Sequence, residues 1–173
     1  MRAFSINIQL ASRYSTLMMP LEGIRVLDLS RILAGPHAAQ SLSDLGADVI
    51  KVEAPWGDDS RTWGPPFQQG FDGGEVASYF LSCNRGKKIV FANLKNERER
   101  VRSLMDTVDV VIENFKPGAF DRLLGPVKPD LIVCSISGYG QEGPRRDEPA
   151  FDLTMQARSG IMSVTGEEDG PPA

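Results

Sequence analysis

Residues 24–53 read IRVLDLSRILAGPHAAQSLSDLGADVIKVE, and this stretch decides the fold. Two short runs rich in Val, Leu and Ile, at 24–29 and 48–53, flank a segment in which Pro36 stands where a helix starts and Gly46 where one stops. A strand, a helix of about two to three turns and a second strand make one βαβ unit. The pattern then continues, with strands predicted at 88–93, 109–113 and 130–135. The runs VVI at 110–112 and LIV at 131–133 fit strands buried on both faces of a parallel sheet. Between the third and fourth strands, Val101, Leu104, Met105 and Val108 recur at helical spacing, with Glu97 and Glu99 in the first turn where the helix dipole favours them. A weaker helix is predicted over 151–162, with a break at Gly160. Strands alternating with helices specify an α/β fold around a mostly parallel sheet.

The rest of the composition narrows the function. With 173 residues the chain is the size of one domain, and 41% hydrophobic with 24% charged residues is the make-up of a globular protein. A net charge of −4 offers no nucleic-acid surface. Two cysteines, Cys83 and Cys134, and a single histidine, His37, provide neither a zinc-ligand pattern nor a disulfide framework. No apolar run reaches the ~18 residues of a membrane span. The first acidic residue is Glu22, preceded by Arg2, Arg13 and several hydroxyl residues, a composition like that of organelle transit peptides and pointing to mitochondria. Phe4, Ile6, Ile8 and Leu10 alternate with period two, against the amphipathic helix of a transit peptide. A cytoplasmic protein with a disordered leader, or translation from Met18 or Met19, is the competing expectation.

The familiar catalytic signatures are missing. The first strand exits into LSRILAGPHAAQ, without G-x-G-x-x-G, although Gly35-Pro36 can still bring backbone N–H groups against an anion. The chain holds no P-loop and no G-x-S-x-G. Lys51, Arg85, Lys87 and Lys88 can hold cofactor phosphates or can be merely solvated. Asp28, inside VLDL, and Asp152, opening the last helix, are either perturbed acids or carboxylates with a local structural partner. The long loop 54–74, with Trp56 and Trp63, and the turn-rich 137–149 after the fifth strand are the candidate ligand segments.

Seven segments in order carry a resemblance: PLEGIRVLDLSRILAGP (20–36), LGADVIKVE (45–53), GDDSRTWGPPF (57–67), NRGKK (84–88), VIENFKPGAFDRL (111–123), SISGYGQEGP (135–144) and AFDLTMQARSGIMSVTGEEDGPP (150–172). From Pro20 to its last residue the chain resembles the N-terminal part of the class III CoA-transferases, the family of formyl-CoA transferase, carnitine CoA-transferase and α-methylacyl-CoA racemase. The DDSRTWGPPF wording is most similar to the branch acting on succinyl-CoA and glutarate. The resemblance implies a leader over 1–19, an incomplete Rossmann-like large domain over 20–173, and an interlocked homodimer. It implies acyl-CoA and a small carboxylic acid as substrates, with coenzyme A as substrate rather than tightly bound cofactor and with no metal.

By position, the family's CoA contacts fall on Leu33 and Ala34, on Ala92, Asn93, Leu94 and Lys95, on Asn114, Phe115 and Lys116, on Arg122, and on Phe151 and Asp152. The substrate-side aromatics fall on Tyr79 and Trp63. The family mechanism, an aspartate attacking the thioester to give a mixed anhydride, needs an aspartate expected after GEEDGPP, so no catalytic residue is expected within this chain. An inactive truncated product or a CoA-binding fragment is therefore the rival expectation. A racemase is disfavoured, because Phe151 stands where that branch has a catalytic histidine. LLGPVKP, between Arg122 and Asp130, is shorter than the corresponding link in relatives, which puts its packing in question.

Overall fold

The computed structural model describes residues 18–70 and 73–171; the leader expectation at 1–19 falls almost wholly outside them. Five strands form one parallel sheet: β1 (Arg25–Asp28), β2 (Asp48–Glu53), β5 (Lys88–Phe91), β6 (Val110–Glu113) and β7 (Ile132–Ser135). A separate antiparallel pair joins β3 (Phe67–Gln69) to β4 (Glu75–Ala77). The helices are α1 (Ala34–Asp44), α2 (Ser78–Ser82), α3 (Arg98–Met105), α4 (Ala119–Leu124) and α5 (Asp152–Ser159). All five expected parallel strands are present, each within one or two residues of its predicted bounds.

The sheet order is β5-β2-β1-β6-β7. The chain runs outward from β1 through β2 to β5, then crosses back and lays β6 on the other side of β1. The strand order therefore reverses between β1 and β6, and that gap, beyond the carboxyl ends of the strands, is where open α/β sheets bind ligands.

Alternation along the strands divides the core into two layers. Val26, Val49 and Ile112 face α1 and pack with Ala39 and Ala47. Leu27, Ile50 and Val111 face the opposite way, onto Val101 and Met105 of α3 and Phe120 and Leu124 of α4. The expected Val101/Met105 stripe is thus the buried face of α3. α1 lies close because its inner face is small: Gly35, Pro36 and Ala39 are buried, and a Cβ on Gly35 would come 2.2 Å from Ser30 Cβ.

Two expectations need correction, and two short helices were not expected. Pro36 lies inside the first turn of α1, which begins at Ala34, since proline is tolerated where the N–H has no intrahelical acceptor. The segment 54–74 is not a bare loop: Asp58 caps a 3-10 turn over Asp59–Thr62, and β3 follows. The helices α2 and α4 were not foreseen, being too short to show a period. α5 ends at Ser159, where Gly160 takes the left-handed conformation at the expected break. The short link after Arg122 is accommodated by Gly125, at φ 70°, and a turn from Lys128 to Leu131.

Candidate functional site

The gap between β1 and β6 contains a cleft of about 370 Å³. One wall comes from the β1 exit, Arg31 and Ile32; the other comes from Asn114, Phe115 and Lys116 after β6, and from Arg122 on α4. Asn114 closes the floor: its amide oxygen accepts from the Arg31 N–H at 2.9 Å and its amide nitrogen donates to the Arg31 carbonyl at 2.8 Å. Lys116 and Arg122 line the cleft together with Ile32, Phe115 and Leu123, while the Arg31 guanidinium pairs with Asp59. Phe115 is itself fixed, its N–H donating at 2.6 Å to the Glu113 carboxylate.

The residues singled out from the sequence do not all meet here. Asn114, Phe115, Lys116 and Arg122 line this cleft, and Leu33 and Ala34 follow directly on Ile32 at the start of α1. Residues 92–95 lie beyond β5, two strands from β1. There Ala92 is buried in the core and Leu94 packs against it. Asn93 shapes a turn, accepting from the Lys95 N–H at 3.0 Å while its own N–H donates to Glu97. Trp63 and Tyr79 form a tilted aromatic pair, 5.5 Å between ring centres. Burial pushes the Tyr79 hydroxyl up, and Cys83, Asp152 and Asp58 push the same way. Phe151, at the start of α5, is 73% exposed.

Sequence reasoning missed Arg31 and Ile32 in the wall, and it misjudged the lysines. Lys51 and Lys87 neither hold phosphates nor face solvent; both side chains are fully buried and bound to carboxylates. Registry brings this about. Asp28 pairs with Lys51 across β1 and β2, so both side chains emerge on the α1 face, at the carboxyl end of the sheet. Lys87 Nζ donates to Asp28 Oδ2 at 2.8 Å and to the Pro36 carbonyl at 2.7 Å. Lys51 Nζ donates to the Ser30 carbonyl at 2.8 Å and lies 3.2 Å from Asp58 Oδ2. Glu53 accepts from the Asp58 N–H at 2.9 Å and pairs with Arg61, which stacks over Phe80. The signal was legible: a Lys and a Glu inside a strand buried on both faces must be paired. Arg85 and Lys88 instead make surface pairs with Asp44 and Asp48.

The electrostatics follow from this enclosure. Burial raises the Asp58 carboxyl, but the Ser60 hydroxyl and N–H together with Lys51 outweigh it and hold the group below its ordinary value. For Lys87, desolvation wins over the attraction of Asp28 and lowers the ammonium pKa. Burial likewise raises the Cys83 thiol despite the two lysines nearby. Among the described residues no cluster of His, Cys, Asp and Glu could hold a metal ion, and no helix is long and apolar enough to cross a membrane.

The profile of CoA-transferase family III matches residues 21–173. The chain belongs to that family. Among its family III relatives, the succinate–glutarate CoA-transferase of Agrobacterium fabrum is 50% identical over 163 residues, which cover 88% of this chain and 41% of the relative. The human succinyl-CoA:glutarate CoA-transferase is 44% identical over 162 residues, covering 88% of this chain and 36% of that protein. The crystal structure of a CAIB/BAIF family protein from Brucella suis superposes with a TM-score of 0.85 at 50% identity, over 90% of this chain and 43% of the other. The chain thus spans less than half the length of each of these three proteins.

Proposed function

We propose that the protein transfers coenzyme A between an acyl-CoA, succinyl-CoA foremost, and a dicarboxylic acid such as glutarate, with the acyl-CoA held at the β1/β6 switch point. The observation that carries this reading is the cleft itself. Lys116 and Arg122 suit the phosphates of CoA, with Arg31 beside them already paired to Asp59, while Ile32, Phe115 and Leu123 suit its less polar parts. Leu33, Ala34 and Asn114 extend that contact, and the stretch Ala92, Asn93, Leu94 and Lys95, whose Ala92 side chain lies in the core, takes a more distal part of the ligand through its backbone and the exposed Lys95. Trp63 and Tyr79 form the acyl side, and Phe151 and Asp152 belong to the same proposal by resemblance. Names of relatives 44–50% identical support the substrate pair. A homodimer and a mitochondrial address are part of the same proposal.

The chemistry is thioester exchange. A carboxylate attacks the thioester carbonyl and the C–S bond breaks, leaving an acid anhydride and the CoA thiolate; the acceptor carboxylate exchanges into the anhydride, releasing the donor acid, and the thiolate attacks the acceptor's acyl carbon and breaks its C–O bond, so electrons and acyl groups balance without redox. A carboxylate is a weak nucleophile, and aimed N–H donors must stabilise the oxyanion it creates. The buried carboxylates Asp28, Asp58, Glu53 and Glu113 are committed to lysine, arginine or backbone N–H groups, and none is assigned the attack. CoA enters and leaves as a substrate.

The test is to incubate the purified full-length protein with succinyl-CoA and glutarate and follow products by mass spectrometry. Glutaryl-CoA and succinate appearing in equal amounts is the expected result. Hydrolysis without transfer, or no transfer to any carboxylic acid, overturns the proposal.

A further inference from the structure

Ile32, in the wall of the cleft, has φ 71°. A β-branched residue in the left-handed region is a true outlier, and such strain persists only where the surroundings over-determine it. Here they do. The Ile32 N–H donates to both oxygens of Asp58, at 3.2 and 3.4 Å, and its carbonyl accepts from Cys83 Sγ at 3.6 Å. The preceding peptides are pinned as well: Ser30 N–H by Asp28 at 3.0 Å, Ser30 carbonyl by Lys51, and both polar groups of Arg31 by Asn114. Asp58 in turn is oriented by the Ser60 hydroxyl at 2.8 Å and the Ser60 N–H at 3.0 Å, and is held from behind by Lys51.

We propose that Asp58 is a positioning residue for acyl-CoA binding, acting through Ile32: by clamping the Ile32 N–H it keeps the β1–α1 turn in the left-handed conformation that forms the Arg31–Ile32 wall. The inference rests on the reading of the cleft as the CoA site. Asp58 is itself buried beneath the 3-10 turn and does not line the cleft. It sits in 54–74, the segment whose length marks it as functional in the sequence, and its buried carboxylate gives that segment a role by locking one wall of the site.

The experiment is a double-mutant cycle read by calorimetric titration of CoA into the full-length protein. Asp58→Asn weakens CoA binding by about tenfold. Both Ile32→Gly and Ile32→Ala remove the side chain from the cleft, so each double variant is compared with its own Ile32 single variant: in the glycine background Asp58→Asn costs little further affinity, because glycine adopts positive φ without a clamp, whereas in the alanine background the loss persists, because the Cβ still disfavours it. A merely structural role for Asp58 would not distinguish glycine from alanine at 32. Undiminished affinity in folded Asp58→Asn, or an equal loss in the two Ile32 backgrounds, overturns the proposal. If Asp58→Asn does not fold, Ser60→Ala leaves every charge in place and is expected to give a smaller loss, again suppressed in the glycine background alone. Wild-type protein without CoA affinity overturns the function proposed above instead. The clamp is then judged by amide hydrogen exchange over residues 30–36, faster in the Asp58 or Ser60 variant if the clamp exists and unchanged if it does not.

Discussion

Lys51 shows how one side chain ties the strands to the site. Its ammonium lies between Asp28 and Asp58 and on the Ser30 carbonyl, fully removed from water. Such pairs add little net stability relative to apolar residues, but losing one partner is costly because the charges left behind stay buried. Lys51→Ala is expected to lower stability by about 3–5 kcal/mol in urea unfolding. Acid should act on the same cluster. The folded-state pKa of Asp58 lies below its ordinary value of 3.8, so the unfolded chain takes up the proton more readily. That stabilisation is complete above 3.8 and is lost as pH falls below it through the folded value. The urea midpoint should therefore drop steeply below about pH 4, and less steeply in Asp58→Asn.

Among the elements, α1 has the tightest constraint. It reaches the sheet only because Gly35 has no side chain, a Cβ there meeting Ser30 Cβ at 2.2 Å. Gly35→Ala is expected to cost about 1–3 kcal/mol as α1 shifts outward, and to disturb the turn that forms the cleft wall. Gly118 is the contrast: at φ 72°, and with no heavy atom within 4 Å of where a Cβ would stand, its replacement by alanine should cost only about 1 kcal/mol, from backbone conformation alone. Thermal melts of the two variants separate crowding from backbone strain. The elements most legible in the sequence were the long periodic ones. VVI at 110–112 announced β6, and the Val101/Met105 spacing announced α3. α2, of five residues, and α4, of six, have too few turns for any period to emerge.

Across the whole molecule, the strand order puts Arg31 and Lys116 on opposite sides of one gap although 85 positions separate them, 116 − 31. If that gap takes CoA phosphates, Arg122→Ala should weaken CoA binding roughly tenfold to a hundredfold. Titration at rising salt checks it, since the variant should show a shallower salt dependence than the wild type. Asn114, Phe115, Lys116 and Arg122 were singled out from resemblance alone, and the structure brings all four to one cleft. Arg31 and Ile32 were not, because nothing in LSRILAGP marks a left-handed isoleucine held by a carboxylate 26 positions away.

By itself the sequence determined the parallel α/β architecture and the family, because hydrophobic periodicity and ordered motifs are local properties of the chain. That Lys51 and Glu53 must be paired was legible from their place in a buried strand, but only the tertiary structure decided which partner each charge takes and that Lys87 is buried as well. The register of β1 on β2 turns Lys51 inward between two aspartates, Lys87 reaches Asp28 from the neighbouring turn, and Lys88 stays at the surface with Asp48. The partner that settles each charge is distant in sequence and is chosen by strand pairing, so no local pattern could have revealed it.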